Sequence, residues 1–87
     1  MSPGPDPLRA RLSRAVALAL AGDWPAAHAI VQEDEDDATA AWIHAVVHRM
    51  EGDLANARYW YRRCRRELRP GVSTEAELGE IESALRE

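Results

Sequence analysis

The chain has 87 residues, of which 46% are apolar and 30% charged. That supplies one packed core and not a second, and it is unlike the composition of a disordered chain. The formal net charge is −4 and all 11 basic residues are arginine, which argues against a general polyanion binder and sets nucleic acid aside as a main partner.

Residues 1–7 contain Pro3, Gly4, Pro5 and Pro7 and are predicted to be a flexible lead-in without helical hydrogen bonds. A first helix is expected to start near Pro7 or Leu8. In it Leu8, Leu12, Val16 and Leu20 recur every four residues beside Ala15 and Ala19, which gives one apolar stripe with Arg9, Arg11 and Arg14 turned elsewhere. Gly22 stops this helix as a left-handed C-terminal residue, Asp23 caps the next, and Pro25 sits in its first turn. Helix two runs to about Gln32 and buries Trp24, Ala27, Ile30 and Val31.

Five adjacent carboxylates follow, Glu33 to Asp37, and must be solvated. Asp36 or Asp37 is favoured at the start of helix three, which spans Ala38 to Glu51 with Trp42, Ile43, Val46, Val47 and Met50 as its apolar arc. Gly52 ends it and Asp53 caps helix four. There Leu54, Ala57, Tyr61, Cys64 and Leu68 form a seam three and four residues apart until Pro70 and Gly71 close the helix. A last helix starts at about Thr74, with Thr74 and Glu77 at capping-box spacing and Leu78, Ile81 and Leu85 as its apolar face. It is expected to cover the open end of the second hairpin.

The predicted fold class is therefore all-α in a single domain, residues 8–87, with a hairpin at 8–33, a second at 37–69 and a C-terminal capping helix at 74–86. The pairs Gly22-Asp23 and Gly52-Asp53 stand 30 residues apart and mark two hairpin turns, with Ala27 and Ala57 small enough for close helix approach. Trp42, Gly52, Asp53, Ala57, Tyr61, Cys64 and Pro70 together resemble a tetratricopeptide unit, although Trp42 lies one residue too close to Gly52 and Pro70 comes one late. The resemblance covers about Leu12 to Pro70 and implies two antiparallel helical hairpins that present a binding groove.

The ordered motifs Trp42, His44-Ala45, His48-Arg49, Glu51-Gly52-Asp53, Asn56-Ala57 and Tyr59-Trp60-Tyr61-Arg62-Arg63 also resemble a group of small bacterial proteins. That resemblance implies relatives and carries over no reaction, substrate or ligand.

His44 and His48 are the sharpest candidate site residues, because a four-residue spacing puts both imidazoles on one helical face with Glu51 next along it. That face lies almost opposite the arc of Trp42, Val46, Val47 and Met50, and is expected to stand outside the core. A groove formed by His44, His48, Arg49, Glu51, Tyr59, Arg62 and Arg63 is the predicted binding surface for a protein, a peptide or a second copy of the chain. The alternative is a small metal- or ligand-binding protein, catalytic or not, in which His44 and His48 are joined by His28 or an acidic side chain.

Arg58, Arg62, Arg63, Arg65, Arg66 and Arg69 give helix four a strongly basic outer surface, which the run Glu33 to Asp37 is expected to neutralise in part. Cys64 has no C-x-x-C partner and reads as a seam residue. No phosphate-cradling glycine loop or serine nucleophile motif is present, so the reading is non-enzymatic and calls for no cofactor. A lone cysteine and the lack of a basic leader or long apolar run make a cytoplasmic, membrane-free setting the expectation.

Overall fold

The computed structural model describes residues 6–87, and among these the secondary structure is entirely helical. Five α-helices follow one another: α1 (Pro7–Leu20), α2 (Trp24–Val31), α3 (Ala38–Glu51), α4 (Leu54–Arg63) and α5 (Thr74–Leu85), with a 3₁₀ turn at Gln32–Asp34. The expected lead-in at 1–5 lies outside the described residues. Asp6 and Pro7 are part of the helix start instead, since the Asp6 carboxylate accepts the Leu8 amide hydrogen at 3.0 Å.

Both glycine-aspartate turns have the same construction. Gly22 and Gly52 are left-handed, at φ 89° and 91°. The amide after each glycine reaches back to close the helix, Asp23 to the Leu18 carbonyl and Asp53 to the His48 carbonyl, both at 2.9 Å. A Cβ at either glycine would meet nothing within 4 Å, so the requirement is the backbone angle and not space. Asp23, Asp37 and Asp53 then cap α2, α3 and α4 through the amides of Ala26, Ala40 and Asn56. These caps satisfy backbone donors that a helix start leaves open.

Consecutive helices pack as the pairs α1 with α2 and α3 with α4, and α3 touches all four of the others. Between Ala38 and His48 the sequence carries no charged residue, and every residue from Ala40 to His48 is buried. A helix apolar all round belongs in the centre of a fold. Helix α5 lies against α1 as well as α3, so it joins both pairs and does not merely cover the end of the second.

Three sequence expectations change here. Helix α4 ends at Arg63, not Arg69: the Arg65 amide bonds to the Arg62 carbonyl and the Arg66 amide to the Tyr61 carbonyl at 2.8 Å. This is the closure used at the two glycines, but the left-handed position is taken by Arg65, at φ 60°. A non-glycine side chain there costs about 1 kcal/mol. The second change is that Leu20 and Leu54, assigned to apolar stripes, are 43% and 45% exposed, each lying where its helix meets a turn.

The third concerns α5, whose cap is Ser73 and not Thr74, the Ser73 hydroxyl accepting the Ala76 amide hydrogen at 3.0 Å. Glu77 is thereby released from a capping box and turned into the core, where it is 1% exposed. Its carboxylate accepts from Tyr61 Oη at 2.6 Å, from Arg49 Nη1 at 2.7 Å and from Trp42 Nε1 at 2.8 Å. Arg49 also donates through Nη2 to the Val72 carbonyl at 2.6 Å, and Arg66 lies over the Trp42 ring at 3.4 Å from its centroid. A buried carboxylate is tolerable only with such a full set of donors, and these tie α5 to α3 and α4. Burial, and then the hydrogen bond to Glu77, push the Tyr61 phenol above its ordinary range.

Candidate functional site

The opposite face of α3 holds a second polar cluster of different character. Residues four apart on a helix are neighbours, and His44 and His48 accordingly stack with ring centroids 5.0 Å apart and planes at 18°. His28, from the middle of α2, meets them edge-on at 4.7 and 5.4 Å. Each of the three offers a ring nitrogen, and these lie within 4.8 Å of one another. Trp60 of α4 stacks on His44 at 3.8 Å and closes the cluster from above.

His44 and His48 are 3% and 8% exposed. The expectation that they stand outside the core is therefore corrected: α2 and α4 cover the face that an amphipathic reading assigns to solvent. His48 Nδ1 bonds to Glu51 Oε1 at 2.9 Å. A carboxylate accepts, so Nδ1 carries the hydrogen and Nε2 is left for another partner. His44 Nδ1 is buried without any hydrogen-bond partner among the described residues. Burial first, then the neighbouring His28, His48 and Arg63, lower the His44 pKa to about 3, so its imidazole is neutral at physiological pH.

The remaining candidates do not share one groove. Tyr59 is 43% exposed, and Arg63 donates to its hydroxyl at 3.1 Å while lying over the Trp60 ring at 5.0 Å. These two border the histidine cluster through Trp60. Arg49 belongs to the Glu77 cluster on the far side of α3, and Arg62 points to a separate surface at the end of α4.

That separate surface is rich in arginine. Of the carboxylates in the run Glu33 to Asp37, Asp34 pairs with Arg11 at 3.1 Å and Asp36 with Arg63 at 3.4 Å. Arg58, Arg62, Arg65 and Arg66 have no carboxylate partner among the described residues. The acidic run thus meets one arginine of α4 and leaves the others free. Arg58, Arg62 and Arg66 line a cleft of about 350 Å³ with Tyr61, Glu67, Leu68 and Pro70. Cys64 is half-buried nearby, its thiol directed at the Trp60 and Tyr61 carbonyls and pushed up by burial, which disfavours a nucleophile.

No protein-family model, curated protein or solved structure matches this chain. No helix among the described residues is long and apolar enough to cross a membrane.

Proposed function

We propose that this chain is a non-enzymatic helical interaction module, tetratricopeptide-like in the pairing of its helices, that docks an acidic segment of another protein on the arginine-lined end of α4. The observation that carries the reading is the cleft that Arg58, Arg62 and Arg66 line together with Leu68 and Pro70, with no carboxylate among the described residues paired to any of the three. Like charges held together repel, and three guanidiniums against the single carboxylate of Glu67 in the cleft lining leave a local positive excess that an acidic partner offsets. The planar donor forks of arginine suit carboxylates, and a leucine-proline floor suits an apolar residue between them.

A nucleic-acid backbone fits less well. Glu67 stands inside the cleft and Glu77 and Glu80 hold Arg69 beside it, so a continuous row of phosphates would meet carboxylates as well as arginines.

A labelled peptide of alternating acidic and leucine residues tests the proposal by fluorescence anisotropy, beside a single-stranded oligonucleotide of equal charge. The expected result is salt-sensitive peptide binding that the Arg58→Glu, Arg62→Glu double variant weakens more than 10-fold. Tighter binding of the oligonucleotide, or peptide binding unchanged in the variant, would sink it. A second copy of the chain, offering its own Glu33 to Asp37, is the homodimer form of the reading. Sedimentation equilibrium showing only monomer at high concentration removes that form.

A further inference from the structure

Most buried or clustered polar groups in this molecule have an assignment within the fold. Glu77 is saturated by three donors. Asp53 lies near His48 and Glu51 in a possible ligand set, but both its oxygens accept from Asn56, and that cap accounts for it. The exception is the histidine cluster. Its three ring nitrogens converge within 4.8 Å, and one buried nitrogen, His44 Nδ1, has no hydrogen-bond partner among the described residues. Burying an unpaired polar atom is costly and native structures do it rarely.

We propose that His28, His44 and His48 form a binding site for one divalent late transition ion of the zinc class. This does not depend on the acidic-partner reading, which concerns a different surface. Imidazole nitrogen is a borderline donor that suits zinc, nickel and copper, whereas magnesium and calcium favour oxygen. Zinc holds such nitrogens at about 2.0–2.1 Å, so the rings need only close by about an ångström around the ion from where they stand. Three protein ligands leave a fourth position for water or a small ligand, as in open zinc sites, and His28 is the half-exposed member through which an ion can enter.

The surroundings match those of metal-bound histidines. Glu51 accepts from His48 Nδ1 at 2.9 Å, the carboxylate-histidine arrangement that fixes ring orientation and leaves the other nitrogen for a metal. Trp60 stacked at 3.8 Å holds the His44 plane. Glu51 and Asp53 also supply negative charge close to the ion against the nearby Arg63.

Calorimetric titration of the full-length, chelator-treated chain with Zn²⁺ tests this, with Co²⁺ absorption as a report on geometry. Saturable binding of one ion per folded chain is expected, with Co²⁺ bands of four- or five-coordinate nitrogen ligation. His28→Ala removes the half-exposed ligand; with helicity and melting checked by circular dichroism, it should weaken Zn²⁺ binding at least 10-fold. His44→Phe keeps a ring against Trp60 while removing a ligand, and should do the same. Glu51→Gln should cost about 10-fold through orientation alone. Absence of saturable binding, a folded His28→Ala chain with parental affinity, or loss of binding on neutralising Glu35 and Asp36 instead would each overturn the proposal.

Discussion

The two faces of α3 bury polar groups in opposite ways. Toward α5, Glu77 gathers an indole, a phenol and a guanidinium, and each donor finds an acceptor. Toward α2 and α4, three imidazoles and Trp60 pack ring to ring, and His44 Nδ1 is left without a partner among the described residues. A completed network explains itself as a latch between helices, whereas an uncompleted one asks for something from outside the chain. This difference, more than burial or charge, distinguishes the two polar clusters.

The largest effect expected from breaking the comparison falls on the completed side. Glu77→Ala leaves Arg49 buried without its anion and should destabilise the fold by about 3–5 kcal/mol, read from urea unfolding at neutral pH. If the loss is under about 1 kcal/mol, the network is not the latch described.

An intermediate effect belongs to the histidine side of the metal-free chain. The folded-state pKa of His44, about 3, lies below its unfolded value of about 6.5. Between the two the unfolded chain binds a proton that the folded chain refuses, so stability is present above the window and falls as pH drops through it. From pH 6.5 to about pH 5 the loss due to this group should reach about 2 kcal/mol. His44→Phe should flatten the stability-pH profile by that amount, and equal slopes for parent and variant would remove His44 as the cause. The Asp53 carboxyl, held low by its Asn56 hydrogen bonds, adds loss of the same sign at more acid pH, which the variant leaves in place.

The smallest effects sharpen the contrast at pH 8. Trp42→Phe removes one donor from Glu77 and should cost about 1–2 kcal/mol. His44→Phe breaks no hydrogen bond of His44 Nδ1 and should change metal-free stability by less than about 1 kcal/mol. Reversal of that order in parallel thermal melts would mean that the partnerless nitrogen is bonded in solution.

Much of the fold was legible because its signals are local. The glycine-aspartate pairs, the three aspartate caps and the bounds of α3 rest on backbone geometry that nearby residues decide. The end of α4 was not legible, since Arg65 occupies a left-handed position usually marked by glycine. Glu77 was misassigned by a one-residue slip between Ser73 and Thr74, yet it stands four before Ile81 and eight before Leu85, on the apolar stripe itself. The proximity of His44 to His48 followed from helical spacing, but their enclosure is a property of α2 and α4. The charge-free stretch from Ala38 to His48 was the signal that this helix has no water-facing side.

The small residues Ala40, Ala41 and Ala45 of α3 are buried but carry no polar side-chain atom, so they set no hydrogen-bond direction for the rod. Trp42 and Arg49 both donate to Glu77, at 2.8 and 2.7 Å, and the setting of the rod that allows this also turns His44 and His48 toward α2 and α4. The acidic side chain of α5 thus acts as an alignment key, fixing from the far side of the central rod how the imidazoles are presented to α2.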